Sequence, residues 1–204
     1  TTAFLFPNYG DYGYGIFLLD EKSRDYVLKN IQNEKDPFLR AMMWGALWDS
    51  VREGELDPRA FVELVVTVLG KNSRKSYAFT REPNAAPAQR SFTPKGVTPT
   101  EDDESTVALL LNRVGTAMNY YMSEPPALAG GQKRGDGSTN RPAANAAGSD
   151  LRVRLENLLI DQMQNAETLG QRITFYRAFL NIASSENARK ILTDILNLKF
   201  EIRD

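Results

Sequence analysis

The chain has no cysteine and no histidine in its 204 residues. Without Cys there is no disulfide, no thiolate metal ligand and no thiol nucleophile, and the sequence carries no mark of the redox state of its compartment. Without His the commonest general base and the usual zinc ligand are missing, which excludes a Ser-His-Asp triad and an HExxH zinc helix. A catalytic centre here would have to be built from Asp, Glu, Lys, Tyr or Ser. Acids are plentiful, but no spacing singles out a pair set for acid–base work. A charge excess is also lacking: 25 Lys and Arg stand against 26 Asp and Glu, a net charge of -1. Neither nucleic acid nor an anionic membrane is therefore expected as a general partner. No apolar run approaches the roughly 20 residues of a membrane-spanning helix. The first residues lack the basic-then-apolar pattern of a signal peptide. The sequence opens on Thr1 rather than Met, which fits a processed product or an excised fragment. The expectation is a soluble protein, cytoplasmic or exported.

What is present is ordinary for a globular chain: 42% apolar and 25% charged residues, in a length sufficient to bury a core. The first twenty residues read as extended. Ala3-Phe4-Leu5-Phe6 is a short apolar run, Pro7-Asn8 a turn signal, and Tyr14 to Leu19 a second run rich in aromatic and aliphatic residues. Between them, Gly10-Asp11-Tyr12-Gly13-Tyr14-Gly15 invites comparison with nucleotide-binding loops. Such loops need their glycines after a strand and at a helix N-terminus, with Lys-Ser/Thr or a downstream acid. Here the glycines precede a strand-like run, so a structural turn is the favoured reading.

From Glu21 the pattern turns helical, with Tyr26, Val27 and Ile31 on one side. Asp36-Pro37 and Asp57-Pro58 are matching start signals, an N-capping acid followed by Pro at the first helical position. Leu39, Met43 and Leu47 form the apolar face after the first, with Gly54 as a stop. Phe61, Leu64, Val65, Val68 and Leu69 follow the second, with Gly70 read as its end. Residues 71–104 are interrupted by Pro83, Pro87, Pro94 and Pro99 and read as a flexible connection ending in the acids Glu101 to Glu104. These acids suit the dipole of a helix over Thr106 to Met122, whose inner side carries Val107, Leu110, Leu111, Val114, Met118 and Tyr121. Residues 124–149 are Gly-, Ala-, Pro- and Ser-rich and read as a second flexible excursion. Its Gly-Asp-Gly lacks the ligand spacing of a calcium loop.

Three more helices are expected after Asp150. One buries Leu151, Leu155, Leu158, Leu159 and Met163. The next, capped by Thr168, is read with Leu169, Ile173, Tyr176, Phe179, Leu180 and Ala183 inside. The last, opened by Ser185, carries Ala188, Ile191, Leu192, Ile195 and Leu196, and 198–202 either extends it or forms a short strand. Successive amphipathic helices on short turns imply a mainly α fold of antiparallel pairs, as an α-solenoid or an irregular bundle.

Candidate binding groups are few. Trp44 and Trp48, four apart, either line a peptide groove or belong to the core. Arg113 and Tyr120, with Asn112 and Tyr121 beside them, and Arg172 and Tyr176, with Gln171 and Arg177, set polar donors and aromatics on otherwise apolar helices. An Arg in a cleft would grip a peptide carboxylate in bidentate fashion, and a helix-to-helix salt bridge or a capped carbonyl is the alternative. The basic groups Lys71, Arg74, Lys75 and Lys133, Arg134 have little aromatic interleaving and read as solvated.

Four stretches together suggest a family: FPNYGDYGYGIFLLDEKS, DPFLRAMMWGALWDSVREGELDPRAFVELV, VALLLNRVGTAMNYYMS and ETLGQRITFYRAFLNIASSENARKILTDIL. They resemble the C-terminal region of aminopeptidase N-like zinc metallopeptidases, including those similar to the endoplasmic reticulum aminopeptidases. The resemblance covers most of the chain outside the two connections and is most specific over Leu39 to Leu56. It implies a multidomain exopeptidase whose zinc site, HExxH and GxMEN lie in a separate catalytic domain. Neither motif occurs here, so the resemblance carries over no catalytic or metal-binding residue. The implied fold is the end of a small β-domain over 1–20, then a helical domain over 21–204 stacked as an irregular, HEAT- or armadillo-like α-solenoid. Its implied role is to enclose the substrate chamber and control peptide access, with the catalytic domain of the same polypeptide and the peptide as partners. The groups expected to face that chamber are Arg113, Tyr120, Arg172 and Tyr176. A freestanding helical-repeat scaffold for a protein or peptide partner is the other expectation.

Overall fold

The structure is a computed structural model that describes residues 4–79, 104–122, 143–197 and 199, with side chains described over 4–71, 104–122, 150–197 and 199. Among the described residues there are seven α-helices and no strand. The chain divides into two compact units, 1–110 and 111–204.

In the first unit, α1 (Glu21–Asn30) opens on Asp20, whose carboxylate accepts the Ser23 N–H at 2.7 Å. A single 3-10 turn over Ile31–Asn33 leads to α2 (Pro37–Arg52). The Asp36 side chain caps α2 by accepting the Phe38 N–H, and Pro37 occupies the first turn, as the Asp-Pro signal requires. Gly54, at φ 77, takes the left-handed conformation that ends α2. Then α3 (Pro58–Phe79) begins with the Asp57 carboxylate accepting the Arg59 N–H at 2.8 Å. It runs back along α2: Phe61, in its first turn, meets Trp48 and Trp44, while Lys71 reaches Gln32 just before α2 at 2.7 Å. The two helices are an antiparallel pair.

Two expectations in this unit are corrected. Gly70 does not stop α3, which continues to Phe79, because Gly70 keeps a helical conformation. A glycine ends a helix only where the chain turns left-handed, as at Gly54. The β element expected near the N-terminus is absent among the described residues: 4–20 has turns and bends but no ladder. This segment is held instead by side chains. Phe4 stacks on Tyr26 with ring centroids 5.0 Å apart, and the Leu5 N–H donates to the buried Ser23 hydroxyl at 3.0 Å.

α4 (Glu104–Thr116) spans the boundary between the units and passes into a π-helical turn over Ala117–Tyr121. In the second unit, α5 (Ala143–Asn165) and α6 (Leu169–Ile182) pair antiparallel. Arg152, in the first half of α5, reaches the Ile182 carbonyl at the end of α6, and Arg172, at the start of α6, reaches the Ala166 carbonyl just beyond α5. Thr168 caps α6 and Ser185 caps α7 (Glu186–Leu196), both as expected. The onset of α5 at Ala143 lies inside the stretch read as a flexible excursion; 80–103 and 123–142 lie outside the described residues, as do 198 and 200–204.

Two inner faces differ from the sequence reading. Tyr121 is exposed rather than inward. The π turn adds one residue to the helical repeat and rotates Tyr121 away from the face of Val114 and Met118. On α6 the buried row is Phe175, Phe179 and Ile182, whereas Leu169, Ile173 and Leu180 face outward. The helix carries two apolar rows, and α5 covers one of them.

Candidate functional site

The glycine-rich stretch is a closed turn. Asn8 organises it: its Oδ1 accepts the Gly13 N–H at 2.9 Å, and its Nδ2 donates to the Gly13 carbonyl and the Asp11 carboxylate. Gly10 sits at φ 88, and a Cβ on Gly13 would come within 2.7 Å of the Phe17 ring. These are the demands of a tight turn. The Gly13 amide that would face a phosphate is held by Asn8, and no helix N-terminus follows the glycines directly.

The tryptophan pair is core. Trp44 is 2% exposed and meets Phe61 edge-on at 6.0 Å, while the half-buried Trp48 tilts against the same ring at 5.4 Å. Such arrangements are favoured by the aromatic quadrupole and need no ligand.

The four expected chamber residues all lie in the second unit. Arg113 is half-buried on α4, and Tyr120 projects from the π turn at 79% exposure. Arg172 donates from Nε to the Ala166 carbonyl at 2.9 Å, closing the α5–α6 turn. Tyr176, one turn further along α6, is half-buried.

Two residues that sequence reasoning passed over organise this unit. Glu156 is buried on α5, and its Oε1 accepts the N–H groups of Ser184 and Ser185 at 2.8 and 3.2 Å. It thus holds the segment entering α7, where free N–H groups favour an anion. Arg152 bridges two carbonyls, donating from Nη1 to Ile182 at 2.9 Å and from Nη2 to Met118 at 3.2 Å. The π turn exposes the second of these. The Met122 N–H bonds to the Ala117 carbonyl rather than to that of Met118, which a regular α-helix would use. Asn119 adds a bond from Nδ2 to the Asn181 carbonyl at 3.1 Å. The sequence signal for both was an ion in an apolar row: Arg152 and Glu156 share the face of Leu159 and Met163.

Among the described residues, no three acidic side chains come together in a way that could hold a metal ion. The chain has no His or Cys to supply ligands, so the zinc implied by the family resemblance does not fit these residues. No described helix is long and apolar enough to cross a membrane.

No family model matches the chain. Over 71 residues, 35% of this chain, it is 34% identical to an aminopeptidase N from Streptomyces lividans. The matched stretch is 8% of that protein's length, so the chain spans a small part of this relative.

Proposed function

We propose that this chain is the helical C-terminal part of a longer zinc-dependent aminopeptidase, where it encloses the substrate chamber and controls peptide access without being catalytic itself. The observation that carries the reading is the 34% identity over 71 residues with an aminopeptidase N, in a helical chain that has no histidine. A helical part of such an enzyme can dispense with metal ligands, because the hydrolytic chemistry belongs to another domain. In this reading the helices belong to an irregular α-solenoid. The N-terminal segment completes a neighbouring β-domain. Of the four chamber candidates, Tyr120 is the most open to a ligand.

Two measurements test this. The purified chain is expected not to hydrolyse aminoacyl-arylamides, and chelator-sensitive hydrolysis by it alone would overturn the proposal. The parent reading frame is expected to encode HExxH upstream of Thr1; a frame without it would favour the freestanding scaffold. In the full enzyme, Tyr120→Ala is expected to change the ranking of peptides of graded length while leaving arylamide turnover unchanged.

A further inference from the structure

The outer row of α6 is laid out for a second helix. Leu169, Ile173, Tyr176 and Leu180 follow one another at intervals of four, three and four, the spacing of a two-heptad seam. Leu169, Ile173 and Leu180 are 72%, 40% and 48% exposed, and Tyr176 is half-buried. At about 3.6 residues per turn this row lies roughly 120° around the helix from the buried row of Phe175, Phe179 and Ile182. It is therefore a separate face and not the edge of the core. In heptad terms Arg172 and Arg177 fall at the two flanking positions, one on each side of the row. Both are cations: the bond from Arg172 to the Ala166 carbonyl leaves its charge in place.

We infer that this face of α6 docks an amphipathic helix that carries leucine-like side chains at seam spacing and acidic side chains at the flanking positions. The charges select the occupant. A second copy of the chain is disfavoured, since parallel pairing sets Arg172 against Arg177 and α6 has no Asp or Glu for either Arg to meet in an antiparallel pair. An acidic flank turns the same two positions into attractive pairs, and Arg can bind a carboxylate with two parallel bonds. A membrane surface is a poorer fit. The row is one side chain wide, and the other apolar row of α6 is committed to the core. The inference does not depend on the aminopeptidase reading, because it uses only the face of α6.

The test uses the complete 204-residue chain and two labelled synthetic helices with the same leucine seam, one with Glu and one with Lys at every flanking position. Fluorescence anisotropy at moderate salt is expected to show the Glu peptide binding about tenfold or more tightly than the Lys peptide. Arg177→Glu is expected to abolish or reverse that preference. Ile173→Ser is expected to weaken the Glu peptide about tenfold, with an unchanged circular dichroism spectrum confirming the fold. Equal affinity for the two peptides, binding of neither, self-association of the chain through Ile173, or preferential capture by anionic vesicles would each overturn the inference. Loss of the upstream catalytic reading would leave these outcomes unaffected.

Discussion

The Oε1 of Glu156 accepts the backbone N–H of Ser184 at 2.8 Å across 28 residues of sequence, from a side chain that is 1% exposed. A second bond to the Ser185 N–H makes this carboxylate the anchor of the segment that enters α7. Glu156→Ala removes a buried side chain and leaves the N–H groups of the exposed Ser184 and the half-buried Ser185 without that acceptor. It is expected to cost about 1–3 kcal/mol in urea denaturation. Glu156→Gln keeps an acceptor oxygen and should cost less. Hydrogen exchange should rise first in 184–196. An Ala variant as stable as the parent would remove Glu156 from this role.

At the other end of the chain, Asp20 holds the first turn of α1. The Ser23 backbone N–H is the main cause that holds the Asp20 carboxyl below its ordinary value of 3.8; desolvation opposes it, and the Ser23 hydroxyl and Lys22 assist. A carboxylate with a depressed folded value stabilises the fold above its unfolded value, and this is lost as pH falls through the folded one. Asp20→Asn retains a cap but cannot titrate. The parent should be the more stable at pH 6, and its advantage should shrink as pH falls below 3.8 and through the folded value. Urea midpoints of both proteins across that range check the sign.

Ser23 links this cap to the N-terminal segment through the Leu5 N–H. Ser23→Ala should therefore cost about 1–2 kcal/mol and release 4–8 to proteolysis, while α2 and α3 keep their protection. Cleavage kinetics at the segment distinguish this from a general loss of stability.

Arg152 ties the π turn to the end of α6 through two carbonyls. Arg152→Lys keeps the charge but not the fork and should satisfy one carbonyl at most. Arg152→Met should cost about 2–3 kcal/mol and raise hydrogen exchange at 117–122, with Lys intermediate. Equal behaviour of Lys and Met would show that the second bond contributes nothing.

The tryptophans separate a core from a groove. Trp44→Ala is expected to cost about 3–5 kcal/mol, as for a buried aromatic. Trp48→Ala, at a half-buried position against the same Phe61 ring, should cost about 1–3 kcal/mol. A reversed order would place Trp48 at the centre of the packing.

Helix starts were legible in the sequence because capping is local. Asp36-Pro37, Asp57-Pro58, Thr168 and Ser185 each announce a helix by supplying an oxygen or a fixed φ within three residues of the free N–H groups. The absence of His and Cys likewise settled, without coordinates, that no HExxH or thiolate site lies in this chain. Other features needed the third dimension. Gly54 and Gly70 each follow an apolar helical stretch, and only the conformation each adopts makes Gly54 a stop and leaves Gly70 inside α3. Two apolar rows on α6 satisfy the helical period equally, and packing against α5 decides that Phe175, Phe179 and Ile182 go inside. The roles of Glu156 and Arg152 are also invisible in one dimension, because their acceptors and donors lie about thirty residues away. Periodicity records which residues share a face; which face is buried depends on the neighbour that arrives from elsewhere in the chain.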